Sequence, residues 1–546
     1  MILLASINLI IILSIFGYSY LFKSIIFKNK NTFLENLDFF YGLIFLYLIS
    51  LILHIFMPLA SYSKPILIVG LILLIYCFIK KKLKISIVKY FIIIFLFSFI
   101  AYYGKDNVDS PLYHLQIIKW LSNYKLTFGL ANLEWRLGVN YPWYSILSIL
   151  NIDFFNYSNK YFFSLIFFSF LFYEISYQKK ISKSFLFLSL TFSYLFFYSL
   201  IHPFNYGVIL NHIGNPEKDL FNMLLFISLV YIYLKIIESK NLNNQLNLIS
   251  ILFIILTMTI MQTTIYIFIS LVFIFMLFEI IKIRYHVKLI SILSIIFIFW
   301  IFKSTAISGC LIFQIPLTCL STEWTIDLST LKFHIDETKR YSRSLPSLEM
   351  VGDLYKTIET FLWLKPWLKN YFLTTALHQI NLIIIIFSSF IGIYLIFKKK
   401  IKFNKYEIIL LISILFVNLT CLILIPEIRY YWGPHISLSV LYLSLIIWSL
   451  DIRYLYKYNF FYFIPLTTLI LFIFIKVFPM FKYSDLTKLP IREHNYSFKK
   501  KVGKFNGIEV FTNSWQCADI KEICVNTPKE NYNFNYIYNF LVIKNN

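Results

Sequence analysis

The chain has 546 residues, of which 59% are hydrophobic and only 14% charged, with a mean hydropathy of +0.72. A soluble domain carries about 25% charged residues, so ordinary soluble cores could not hide this much apolar surface. Long apolar runs recur from Met1 to about residue 478, which a lone signal peptide does not explain. The formal net charge of +23 does not point to nucleic acid, because Lys and Arg cluster at the ends of apolar runs, where the positive-inside rule expects them.

In chain order the pattern predicts spans at about 2–22, 39–57, 65–79, 89–103, 160–177, 184–201, 219–237, 247–262, 264–280, 288–303, 380–397, 407–425, 434–450 and 459–478. Each approximates the roughly 17–25 residues needed to cross a bilayer. The basic connectors are Lys23 to Lys30, "KKKLK" at 80–84, "QKKISK" at 178–183, Lys235 to Lys240, "KIRYHVK" at 282–288, "KKKIKFNK" at 398–405 and "RYLYKY" at 453–458. With all seven in the cytoplasm the spans alternate without contradiction. The stretch "YPWYSILSILNI" at 141–152 would invert everything after it, and is read as a juxtamembrane or re-entrant helix on the outer side, where protein can bury its backbone. Polar, less basic connectors at 104–158, 202–218, 304–379 and 426–433, with the tail 479–546, then face outward. The expected fold is an all-α polytopic membrane protein of about fourteen transmembrane helices, with a small C-terminal α/β or β extracytoplasmic domain.

Six cysteines support that sidedness. Cys77 and Cys421 lie inside apolar runs as packing residues. Cys310 with Cys319, and Cys517 with Cys524, form two close pairs in segments assigned outside, where disulfides form. Each bond would close a loop of about ten residues, worth about 3 kcal/mol in the chain-entropy picture. No P-loop, Gly-rich dinucleotide motif or metal-type Cys/His cluster is present.

Charges near membrane depth are costly and mark candidate sites. Asp106 and Asp109 emerge directly from the span at 89–103. Beyond them Leu112, Leu115, Ile118, Trp120 and Leu121 recur at helical spacing. This reads as an amphipathic helix lying in the interface, anchored by Tyr113, His114 and Trp120. A partly desolvated carboxylate there would have a raised pKa and could serve as a general base; helix capping is the competing explanation. Glu134 and Arg136 could pair with each other or bind an anion. A second cluster, 202–221, carries His202, His212, Glu217, Lys218 and Asp219, the last also a candidate N-cap. A third, "IPEIRYYWGPH" at 425–435, places Glu427 and Arg429 in a very short turn; Arg suits bidentate phosphate binding, with snorkelling as the alternative.

On the runs "DSPLYHLQIIKWL…GLANLEWRLGVNYPW", "SGCLIFQIPLTC" and "PEIRYYWG", the chain resembles the GT-C superfamily of integral membrane glycosyltransferases, and within it bacterial membrane proteins of surface polysaccharide synthesis. Asp109 and Tyr113 fall near that superfamily's first-loop pattern, with the Tyr one residue further along and Ser110 where a second acid is common. Its second acidic position falls on Asp219, and its late Arg on Arg429. The resemblance divides the chain into an N-terminal three-span extension (1–88), a membrane core (89–478) with outer loops 104–158 and 304–379, and a small extracytoplasmic domain (479–546). It implies inverting transfer of a sugar from a polyprenyl-phosphate-linked donor to a cell-envelope glycan or lipid acceptor, on the outer face of the bacterial cytoplasmic membrane. Asp109 would be the general base, and Asp106 and Asp219 would orient the acceptor or tune that base. Tyr113, His114, Glu134, Arg136, His212, Lys218, Glu427 and Arg429 would line the substrate site. No residue is assigned as a metal ligand; a divalent metal is compatible with such chemistry, but Ser110 in place of an acid weakens a metal-dependent mechanism. The partners implied are membrane lipid, the lipid-linked donor and the acceptor, without nucleic acid. An O-antigen or polysaccharide polymerase would share these features and differ in product. A transporter or flippase would place its charges at the midplane, whereas here they sit at the outer ends; a catalytically inactive scaffold would account for Ser110.

Overall fold

The computed structural model describes residues 1–27, 34–104, 109–151, 153–154, 157–158, 163–178, 180–201, 212–239, 241–262, 286–344, 363–369, 376–398, 403–450, 460–486, 500–505, 508–512, 523–524, 533–537 and 540–544. The chain is mostly helical. Its long helices are α1 (Ile2–Ile26), α2 (Phe39–Phe56), α3 (Ser63–Ile79) and α4 (Ile87–Tyr102). After two short helices, α5 (Leu115–Asn123) and α6 (Pro142–Ile149), come α7 (Phe163–Tyr177), α8 (Lys183–Ile201), α9 (Lys218–Glu238), α10 (Leu242–Gln262) and α11 (Val287–Ser308). The polar α12 (Leu328–Ser344) precedes α13 (Ala376–Phe397), α14 (Lys405–Leu424), α15 (Ile428–Ser449) and α16 (Phe460–Phe472). Apart from α5 and α12 these runs are largely apolar on all sides, and in lipid a helix is the way a single segment satisfies its own backbone.

Among the described residues, nine helical segments are long and apolar enough to cross a membrane, and three shorter apolar helices accompany them. The expected span at 264–280 lies outside the described residues. At eight residues, α6 rises only about 12 Å and is too short to cross. It is buried throughout, from Pro142 to Ile149.

The connectors sort to two ends of the bundle. At one end the basic connectors meet acids. Lys23 donates to both Asp38 oxygens at 2.9 and 3.0 Å, Lys84 to Glu35 at 2.9 Å and Lys235 to Glu174 at 2.9 Å. Lys183 pairs with Glu407, which also closes a capping box with Asn404 at the start of α14. At the other end the loop after α5 knits the bundle together: Leu126 N–H donates to His54 O at 2.9 Å and Gly129 N–H to Ala306 O at 2.8 Å. Gly129 has φ +69°, and a Cβ there would stand 2.1 Å from Ile543 O.

A short antiparallel pair, β1 (Asp153–Phe154) and β2 (Tyr157–Ser158), precedes α7, and the C-terminal part is a small strand region. β3 (Lys500–Phe505) and β4 (Ile508–Thr512) pair antiparallel, with a bulge at Lys501/Gly503, and β4 pairs in parallel with β5 (Ile523–Cys524). β6 (Asn533–Ile537) and β7 (Phe540–Lys544) form an antiparallel pair. β7 docks on the loop after α5: Phe128 N–H donates to Leu541 O and Ile543 N–H to Phe128 O, both at 2.9 Å. Cys310 and Cys319 are disulfide-bonded. Cys524 is also disulfide-bonded; its expected partner Cys517 lies outside the described residues.

The segment expected as an interfacial helix at 112–121 is covered by protein. Residues from Leu115 to Ser122 are buried, including Gln116 and Lys119 on what reads as the polar face. The physical reason is cover: α6 packs across α5, and Ser148 Oγ donates to Ile118 O at 3.3 Å.

α1 and α3 approach through small residues. A Cβ at Gly17 would stand 1.8 Å from Gly70 O, and one at Gly70 would stand 2.0 Å from Ser14 Oγ. This is the small-residue contact that lets membrane helices close on one another. Ser14 Oγ and Tyr18 O–H use the proximity to donate to Leu67 O and Ile66 O at 3.2 and 2.7 Å. Gly70→Leu should therefore force the pair apart and cost about 1–3 kcal/mol, measured as a lower melting temperature of the detergent-solubilised protein.

Candidate functional site

Three local features bring distant side chains together. First, Ser110–His114 is a single π-helical turn with Asp109 at its N-cap. Such wide turns recur at functional sites; here Asp109 and His114 face the same cluster. Asp109 makes no side-chain capping bond; its carboxylate turns to Arg429 instead. Second, α9 starts after Glu217, also without a side-chain cap, and carries Asp219 in its first turn. Third, α15 breaks at Tyr431 (φ −127°, ψ 22°) and contains Pro434, which cannot donate to the carbonyl four residues back. The break sets Glu427, Arg429 and Tyr430 at the mouth of the bundle.

Arg429 is the hub. Its Nη1 pairs with Asp109 and its Nε with Glu427. The Arg429 and Asp109 side chains keep 21% and 19% of their exposure, against 9% for Glu427, so the pair with Asp109 faces the more open side. His212 pairs with Glu217, and His212 meets Trp432 edge-on at 4.9 Å. Lys218 donates to Tyr141 O–H at 2.8 Å and sits 4.0 Å above its ring. His114 Nδ1 bonds Tyr144 O–H on α6. Arg136 Nη1 reaches Glu134 at 3.4 Å, and its guanidinium lies 5.9 Å from the Tyr113 ring centroid. Trp143 holds the layers together: its Nε1–H donates to Pro216 O at 3.1 Å and its ring stacks on Phe221 at 4.2 Å.

Charge distribution follows from these contacts. Burial acts to raise the Asp109 carboxyl, but the guanidinium groups facing it, Arg429 first and Arg136 after it, help hold it below the usual range. The expected raised value is therefore reversed, because the cations arrive from loops distant in sequence. Burial pushes Glu427 up to about 7, with Asp219 and Asp109 adding to it and Arg429 opposing. Burial pushes His114 down to about 4 against the pull of Glu217 and Asp109, so it is a neutral imidazole at pH 7. Burial opposes charge on His212 and Glu217, but their mutual pairing wins, raising His212 and lowering Glu217.

Asp109, His114, Glu134, Arg136, His212, Lys218, Asp219, Glu427, Arg429 and Tyr113 thus all fall in one region, with Glu134 acting through Arg136 at its edge. Asp106 lies outside the described residues. Glu217, Tyr141 and Tyr144 join the site without having been singled out as site residues. Glu217 was visible within its charged cluster, but two tyrosines among 41 carried no signal.

Several buried polar atoms here find no hydrogen-bond partner among the described residues: His114 Nε2, Glu217 Oε1 and Asp219 Oδ1. Leaving such groups unpaired costs about 1–3 kcal/mol each, which a polar ligand would recover. Asp109, His114 and Glu217 each bring a ligand atom within 4.8 Å of the others. This is a mixed N/O donor set that could hold a divalent cation, and the second His114 nitrogen is already fixed by Tyr144, as metal-binding histidines require.

The chain belongs to the family described as Domain of unknown function (DUF8201), whose model matches residues 1–436. The match contains the whole cluster from Asp109 to Arg429. No curated protein and no solved structure matches the chain.

Removing one partner of a buried ion pair strands the other. Arg429→Gln should lower stability by about 3 kcal/mol, and Asp109→Asn in the same chain should recover part of that loss, read as a coupling energy in a double-mutant cycle. Glu427 supplies a pH dependence. Its folded value near 7 stands above the ordinary 4.5, so its contribution to stability is complete below about 4.5 and is lost as pH rises through about 7. Glu427→Gln should flatten the melting temperature across that window.

Proposed function

We propose that this protein is a membrane glycosyltransferase that moves a sugar from a polyprenyl-phosphate-linked donor to a cell-envelope glycan or lipid acceptor. In this reading the chain crosses the bacterial cytoplasmic membrane about fourteen times and works on the outer face. The sidedness is supported by the basic connectors gathering at one end of the bundle and by the Cys310–Cys319 disulfide lying in a loop at the other.

The observation that carries the proposal is the convergence of Asp109, Glu217, Asp219 and Glu427 with Arg429, Lys218 and Arg136 at the ends of membrane helices. A donor of this class brings a negative phosphate on a lipid chain, and an acceptor brings a hydroxyl. Cations shared with carboxylates at a bundle mouth suit both. The acceptor oxygen attacks the anomeric carbon while the bond from that carbon to the phosphate oxygen breaks. The hydroxyl proton passes to Asp109, and the charge left on the lipid phosphate falls to Arg429, with Lys218 and Arg136 beside it.

Arg429 couples the two events. Without donor its guanidinium is shared between Asp109 and Glu427. A phosphate competing for that guanidinium frees Asp109 from its cation and leaves it a stronger base when the donor is in place. Asp219 and neutral His114 line the acceptor side. A divalent cation held by Asp109, His114 and Glu217 would supply Lewis-acid neutralisation of the phosphate in place of base catalysis by Asp109.

Asp109→Asn preserves the shape of the side chain and removes its basicity. In membranes supplied with a radiolabelled lipid-phosphate sugar, it should reduce transfer by about 100-fold or more at unchanged protein level. Undiminished transfer in that variant would refute the assignment. Products lengthened by repeating units, instead of single sugars, would identify a polymerase.

A further inference from the structure

Beside the carboxylate cluster lies a mainly apolar cavity with a few polar groups in its wall, Tyr141 and Tyr144 standing between the two. Its volume is about 20 Å³, room for one compact particle. The charge in its wall comes from Lys303, near the end of α11, which is 4% exposed. Lys303 Nζ donates to Ser145 Oγ at 2.8 Å, and among the described residues no carboxylate pairs with it or lines the cavity. Buried Lys23, by contrast, pairs with Asp38. The indole Nε1–H of Trp120, in the same wall, has no partner among the described residues. His54 completes the lining: its Nε2–H is directed to Tyr124 O at 3.2 Å, and its Nδ1 is unpartnered among the described residues. Lys125 stands at the rim as a second cation.

The wall is rigid. Asn140 and Trp300 exchange hydrogen bonds, Asn140 Nδ2 to Trp300 O at 2.8 Å and Trp300 Nε1 to Asn140 O at 2.7 Å. This clamp fixes the loop before α6 against α11. A water molecule would satisfy the indole or the Asn140 amide oxygen but would leave the ammonium uncompensated in a desolvated space, the situation that makes isolated buried charges rare. A small anion removes that charge and accepts both the Lys303 and Trp120 protons.

We infer that this cavity is a binding site for one small monovalent inorganic anion of halide size, held by Lys303 and Trp120. Its position behind Tyr141 and Tyr144 makes it a structural ion of the site wall, whatever reaction the carboxylate cluster performs.

The test uses the full-length protein in detergent at constant ionic strength. Replacing sodium isethionate by sodium chloride should raise the melting temperature saturably, by several degrees, with half-saturation in the millimolar range. Bromide should substitute and give anomalous scattering at the cavity. Lys303→Met should abolish the saturable response, and Trp120→Phe should weaken half-saturation about tenfold. An indifferent wild-type protein without bromide in the cavity would mean a neutral amine and overturn the proposal. So would an unchanged chloride response in Lys303→Met, or protection by glucuronate but not chloride, which would point to the carboxylate of an organic acid. Bromide scattering in the wild-type protein keeps the test decisive if either variant fails to fold.

Discussion

One guanidinium joins the two halves of the functional end. Arg429 reaches Asp109 across 320 residues of sequence while holding Glu427 from its own turn. Without it, two carboxylates would face each other in a buried space beside Asp219 and Glu217, and neither arm could stay. The placement of the π turn, the start of α9 and the break in α15 all answer to that constraint. Each element ends where its side chain can reach a counter-charge, and none of them is capped by its own acid.

The two ends of the bundle solve their polar problems differently. At the basic end Lys23, Lys84, Lys183 and Lys235 each find an acid, which locks connectors together with few polar atoms left over. At the other end His114, Glu217 and Asp219 retain unpartnered atoms among the described residues. Stability accounts for the first arrangement. The second costs free energy unless a ligand satisfies those atoms, and is the usual mark of a place where something binds.

Much of this was legible in the sequence because the background is so apolar. Against 14% charged residues, Asp109, Asp219, Glu427 and Arg429 stand out, and charge asymmetry between connectors places them at one end. What could not be read was who meets whom. The low pKa of Asp109 depends on Arg136 and Arg429 arriving from other loops, which local context does not encode. The stretch 112–121 has the periodicity of an interfacial helix, yet its polar positions Gln116 and Lys119 are buried as well, and periodicity says nothing about whether the polar side meets water or protein. Tyr144 is one aromatic among many until His114 is seen against it. The break in α15 follows from Pro434, but its direction does not.

The docking of β7 on the loop after α5 sets an order on biogenesis. That loop fixes α11 through Gly129, and the strand that completes its pairing is made after all the membrane helices described here. During synthesis the bundle is therefore inserted with an open backbone edge at its functional end. The mouth acquires its final shape only when the C-terminal segment has folded back onto that loop. The tail acts as a late latch, and a chain whose tail fails to dock would be inserted yet unfinished.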